Sequence, residues 1–162
     1  MLDLKHVLVA TDFSDVADAA LAYGRSLAST FGADLHLLHV AGDLSTTNFG
    51  AEGYVMNLSD LQKEVEDAAH KQLDARAAGS KPPARGILMI SNRPAETIVD
   101  YARGAQIDLI IMGTQGRGGM SRLLMGSVAE RVVRTAPCPV MTVHHPEHEF
   151  LEPDVTTVAA RA

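Results

Sequence analysis

Residues 107–127 read IDLIIMGTQGRGGMSRLLMGS, an apolar run that breaks into a segment crowded with glycine. Isoleucine recurs in Ile107–Met112, and past Asp108 no polar residue interrupts it, the pattern of a strand buried on both faces. Gly113, Gly116, Gly118 and Gly119 then end any regular period, so residues 113–121 form a loop. Leu124, Val128 and Val132 follow at helical spacing, and the pattern stops before Pro137. Strand, glycine-rich loop and helix in that order make up half of a parallel α/β unit.

The same alternation extends in both directions. Upstream, His6–Ala10 (HVLVA) reads as a buried strand, and Ser14–Phe31 as a helix with Val16, Ala20, Gly24, Leu27 and Phe31 on one face. Ser14 suits its N-cap, Asp15 and Asp18 its positive end, and Gly32 its stop. Leu35–Val40 is the second strand. Residues 41–57 are loop-like, long enough to be functional or mobile. A helix opened by Ser59-x-x-Gln62, a capping-box pattern, carries Leu61, Val65, Ala68, Ala69 and Leu73 and ends at Gly79. Arg85–Ser91 is the third strand, and Pro94 starts a helix with Ile98, Tyr101, Ala102 and Ala105 inward. Downstream, Pro139–Val143 is the fifth strand. The reading is an α/β fold: a five-stranded parallel sheet with helices on both faces. Right-handed crossovers leave few arrangements, and the common one, strand order 3-2-1-4-5, sets strands one and four side by side at the switch point.

With 162 residues, 46% of them apolar, the chain suits one globular domain, expected over residues 1–145 with a flexible acidic tail over 146–162. A net charge of −6 argues against a nucleic-acid surface, which needs a basic stripe. No apolar stretch reaches the roughly 20 residues of a membrane span. The single cysteine, Cys138, fits a reducing compartment, and the cytoplasm is expected. His36 and His39 are three apart on a strand, so they face opposite sides and cannot share a metal. His144, His145 and His148 lie near a chain end without fixed geometry and carry no metal site in this reading.

Ligands of such sheets sit beyond the carboxyl ends of the strands at the switch point, which singles out two loops. Residues 10–15, ATDFSD, contain no glycine, and the chain has neither a Walker A loop nor the dinucleotide fingerprint. A phosphate-receiver site fails too, since Asp12 has no acidic neighbour and the later loops offer Ser91-Asn92 and His144-His145. The glycines of 113–119 let backbone N–H groups approach an anion, and Gly126-Ser127 opens the next helix at its positive end. Arg117 and Arg122 add charge, unless they are simply solvated. Asp12 either accepts from ribose hydroxyls or caps the turn near Ser14. Ser127, in Ser127-x-x-Glu130, either caps its helix or meets phosphate.

Gly113-x-x-Gly116, nine residues, then Gly126-Ser127 matches the G-2x-G-9x-G-[S/T] motif of ATP-binding universal stress proteins. HVLVATDFSDVADAAL, LHLLHV, PAETI and GSVAERVVRTAPCPVMTV are also similar to that family, so the resemblance spans about Lys5 to Val143. It implies a Rossmann-like sheet of the adenine nucleotide alpha hydrolase-like type. It implies ATP as ligand, lined by Ala10, Thr11, Asp12, Val40, Met112, Gly113, Gly116, Gly126, Ser127 and Val128. Arg117 joins this set for its charge, and any Mg²⁺ would rely on the phosphates and on Ser/Thr hydroxyls. A homodimer through Pro139–Val143 is implied as well. Ser91-Asn92-Arg93-Pro94 departs from the family by lacking a glycine. The function implied is a stress-responsive, nucleotide-dependent regulator. The alternatives are a slow ATPase or self-phosphorylating enzyme, acting at Ser121 or Ser127, and an interaction protein with an unoccupied pocket.

Overall fold

The computed structural model describes residues 3–46, 58–79, 83–114 and 125–144. Strands β1 (His6–Ala10), β2 (Asp34–Ala41), β3 (Ala84–Ile90), β4 (Leu109–Gly113) and β5 (Val140–Val143) form one sheet in the order β3-β2-β1-β4-β5. Every pairing is parallel, and β1 lies between β2 and β4. Helices α1 (Asp15–Phe31), α2 (Leu58–Ala78), α3 (Pro94–Gly104) and α4 (Ser127–Thr135) connect the strands, with a 3-10 turn at Leu44–Thr46. No helix among the described residues is long and apolar enough to cross a membrane.

Alternation along the central strands builds two cores. Val7 and Val9 of β1 join Leu35, Leu37 and Ile111 beneath α1 and α2. Leu8 and Ala10 join Leu38, Ile110 and Met112 beneath α3 and α4. Val7, Leu8, Val9, Ile110 and Ile111 are wholly buried, so the apolar runs mark strands covered on both faces. Each such side chain contributes roughly 1.5–3 kcal/mol by leaving water.

Several boundaries and faces differ from the sequence reading. On α1 the buried stripe is Ala17, Ala20, Leu21, Tyr23, Gly24 and Ala28, whereas Phe31 is exposed. Small residues win that face because the helix lies close to the sheet. A Cβ at Gly24 would collide with Val9 Cγ2. On α2 only Ala69 and Leu73 are buried and Val65 is exposed, so the first half of the helix stands off the core. Ser59 lies inside α2, and Gln62 accepts from the Leu44 N–H (2.9 Å) and donates to Glu66, so it serves the 3-10 turn. Strand β4 starts at Leu109, because Asp108 turns its carboxylate to the N–H groups of Lys5 and His6 (2.8 and 2.9 Å). Those two bonds hold the Asp108 carboxyl below its ordinary pKa. The turn without a glycine is held by side chains instead: Asn92 accepts from the Asp43 N–H (2.8 Å) and donates to its carbonyl (3.0 Å).

Candidate functional site

The carboxyl ends of β1 and β4 meet at the switch point, where Ala10 stands in register with Met112. The Thr11 N–H continues the ladder to the Leu38 carbonyl (2.9 Å), which places the next residues beside the end of β2. Ala10 and Met112 are buried, and Val40 and Val128 pack on the same apolar cluster. Four of the sequence-predicted residues therefore share one floor at this end of the sheet.

Above it, the turn at Thr11–Ser14 is densely bonded. The buried Thr11 accepts through Oγ1 from the Phe13 N–H (3.0 Å). Asp12, half-buried, accepts through Oδ1 from both the Ser14 N–H (3.1 Å) and the Ser14 hydroxyl (2.5 Å). Ser14 Oγ in turn accepts from the Ala17 N–H (3.3 Å) and caps α1. Asp12 thus braces the turn, and Ser14, as expected, is the cap itself.

On the β4 side, Gly113 ends the strand, and the Thr114 carbonyl accepts from the Gly126 N–H (2.7 Å). One hydrogen bond so brings the two ends of the glycine-rich segment together. Gly126 is the N-cap of α4, with φ −62° and ψ 152°, and as a glycine it supplies no side-chain acceptor to this end. Ser127 is the first helical residue and is exposed, so the capping-box reading of Ser127 does not hold. Glu130 instead pairs with Arg134. The N–H groups of Ser127, Val128 and Ala129 precede the first intrahelical bond, from Glu130 N–H to the Gly126 carbonyl, and the helix dipole adds positive potential there. That arrangement can take an anion at α4, with an acceptor carboxylate across the switch point. Gly116, Arg117, Ser121, Arg122 and Leu124 lie outside the described residues, as do His145, His148 and the segment 146–162.

Three residues of the site region escaped the sequence reading. Thr114, buried, donates through Oγ1 to the Val143 carbonyl (3.3 Å), and its N–H bonds the same carbonyl (2.9 Å). This ties the root of the glycine-rich loop to β5, and Thr114 Oγ1 also meets His144 Nδ1 (2.6 Å). The third is His39, whose Nδ1 donates to the Thr11 carbonyl (2.7 Å). A polar residue recurring in an otherwise apolar strand, LHLLHV, was the available signal for His39. His36 does face the other way, bonded to the Tyr101 hydroxyl (2.7 Å). Among the described residues no group of three or more His, Cys, Asp or Glu could hold a metal ion. Cys138 packs against the second core, and burial pushes its thiol pKa up, so it is a packing residue.

Comparison with known proteins agrees with this architecture. The universal stress protein family model matches residues 3–144. Universal stress protein MJ0531 of Methanocaldococcus jannaschii is 36% identical over 147 residues, spanning 90% of this chain and 85% of its own. A universal stress protein of Thermus aquaticus is 34% identical, over 86% of this chain and 98% of its own. The solved structure of MJ0577, also from Methanocaldococcus jannaschii, superposes with a TM-score of 0.75 at 25% identity, covering 91% of this chain and all of that one. The fold is shared too by a universal stress protein solved with cAMP (TM-score 0.62, 20% identity, 88% and 99% coverage). A third, from Archaeoglobus fulgidus and solved with dAMP, has a TM-score of 0.53 at 21% identity, with 88% and 99% coverage. With the family model covering most of the chain and two relatives above 30% identity along nearly their full lengths, the chain belongs to the universal stress protein family.

Proposed function

We propose that this protein binds an adenine nucleotide, ATP with Mg²⁺ carried on its phosphates, and acts as a nucleotide-dependent regulator in the cytoplasm rather than as a catalyst. The observation that carries the reading is the glycine-capped N-terminus of α4, which follows β4, with Asp12 following the adjacent strand β1 at the switch point. In this reading the phosphates lie on Gly113, Gly116 and Gly126 and on the first-turn N–H groups of Ser127 and Val128, with Arg117 adding charge. The ribose hydroxyls donate to Asp12, Ala10 and Thr11 line the pocket, and adenine rests near Val40 and Met112. Universal stress proteins of this fold have been solved with cAMP and with dAMP, which supports an adenylate-shaped ligand. The net charge of −6 and the apolar floor favour a small anionic ligand over nucleic acid.

The nucleotide-binding unit is taken as residues 1–145, with 146–162 dispensable. The edge strand β5 is taken as the homodimer contact over Pro139–Val143, where an unpaired ladder meets its copy. Mass spectrometry of nucleotide released from the purified, denatured protein tests the reading, followed by calorimetric titration with ATP, ADP and AMP in Mg²⁺. Released ATP, or tight binding that prefers ATP, is expected. No nucleotide and no heat would refute the site and leave an interaction protein.

A further inference from the structure

Phe13 has φ +66°, and Gln106 at +51° is its one non-glycine companion among the described residues. A bulky side chain in the left-handed region is disfavoured, because Cβ crowds the following carbonyl. Such a conformation persists only where the surroundings over-determine it. Here the surroundings come from far along the chain. The Phe13 ring centroid lies 4.2 Å from that of His39 on β2, and the Arg76 guanidinium of α2 lies 5.1 Å from the same ring. Arg76 Nη2 also donates to the Phe13 carbonyl (3.4 Å).

Arg76 is itself fixed. It donates to both Asp18 carboxylate oxygens (2.6 and 3.0 Å) and to Gln72 Oε1 (2.9 Å), while its own carbonyl accepts from Arg25 (2.6 Å). His39 adds the bond to the Thr11 carbonyl (2.7 Å). The guanidinium fork thus joins α2 to α1 and to the turn between Thr11 and Ser14. Because Phe13 turns left-handed, the chain reverses between Asp12 and Ser14, and Asp12 Oδ1 meets the Ser14 N–H and hydroxyl.

We propose that Arg76 and His39 clamp Phe13 in its left-handed conformation, making Arg76 a positioning residue that sets Asp12 for the nucleotide. The proposal rests on the nucleotide site proposed above. It differs from a general stabilising role in one respect: glycine adopts a left-handed φ unaided, so Phe13→Gly should remove the dependence on Arg76.

Two measurements on the full chain test it. Without ligand, Arg76→Ala should speed hydrogen exchange of the Phe13 and Ser14 amides at least tenfold while the Val9 and Leu37 amides keep their rates. Unchanged exchange at Phe13 and Ser14 overturns the clamp whatever the ligand. With ATP and Mg²⁺, Arg76→Ala should weaken binding about tenfold and Arg76→Lys should recover part of the loss. In the Phe13→Gly background, Arg76→Ala should change affinity less than twofold. Equal losses in both backgrounds overturn the positioning role. If Arg76→Ala does not fold, Arg76→Gln carries the same comparison. Accelerated exchange in a protein whose wild type binds no adenine nucleotide would overturn the nucleotide site while upholding the clamp.

Discussion

Helices α1 and α4 start at the same edge of the sheet, after the adjacent strands β1 and β4, yet their N-termini are finished in opposite ways. The α1 end is occupied by its own sequence: Ser14 caps the Ala17 N–H, and Asp15 and Asp18 stand in the first turn. The α4 end has glycine at the cap, which offers no side-chain acceptor of its own, and an exposed Ser127. A helix end left without a side-chain acceptor takes water or an anion. The contrast explains why Asp12, although it lies next to α1, is assigned to the hydroxyls of a ligand and α4 to its phosphates. An anion at α1 would meet carboxylates. At α4 it meets N–H groups, and the first-turn carboxylate there, Glu130, is paired with Arg134.

The sharpest way to break this contrast is to give α4 the cap that α1 has. Gly126→Asp suits the extended backbone at that position and supplies a carboxylate to the first turn. Melting should move slightly upward, by the equivalent of about 0.5 kcal/mol. Calorimetry should show ATP affinity down by at least a hundredfold, so stability and binding move in opposite directions. Loss of both together would mean misfolding, and unchanged affinity would place the phosphates elsewhere. Asp12→Ala ranks next. A carboxylate gripping the ribose should cost ATP and AMP alike about tenfold, the scale of a charge-assisted hydrogen bond. A loss confined to ATP would move Asp12 to the phosphate side.

Ser14→Ala removes the α1 cap and should lower stability by about 1 kcal/mol in denaturant unfolding. An unaffected midpoint would show that Asp15 and Asp18 suffice for that end. The smallest effect belongs to the amino-terminal half of β2, where no ligand is assigned. Burial, then His6 and Arg85, lower the pKa of His36 from the ordinary 6.5, with Asp34 opposing and Tyr101 bonded to its ring. Above that value His36 is neutral folded or unfolded and contributes no pH dependence. As pH falls below it, the unfolded chain takes up a proton that the fold resists, and stability declines. In His36→Gln the decline below about pH 6.5 should be shallower. An equal slope would assign it to other groups.

Most of the fold was legible because apolar runs carry it. HVLVA, LHLLHV and LIIM are too short for helices between the amphipathic segments that flank them and so read as buried strands, and the helices between them favour a parallel sheet of one hand. On the α1 face Ala20 and Gly24 were read correctly, but Val16 and Phe31 were misjudged, because hydrophobicity points at them whereas close packing rewards Ala17 and Ala28. At the site, the ends of the strands and the placement of Asp12 and Gly126 could be read from order and spacing. The partners that shape them could not. His39 reaches Thr11 across 28 residues, Thr114 reaches Val143 across 29, and Arg76 reaches Phe13 across 63. Such pairs exist only once the sheet has brought the strands together. Ser127 and Gly126 show a different limit, since S-x-x-E reads the same whether the helix starts at the serine or just before it.

The most direct measurement is the backbone amide spectrum of the labelled protein titrated with ATP–Mg²⁺ and, separately, with adenosine. ATP, but not adenosine, should shift the amides of Ser127, Val128 and Ala129, while those of Asp15 and Val16 stay in place. Shifts at the start of α1 with none at α4, or identical α4 shifts from both ligands, would contradict the placement of the phosphates at α4.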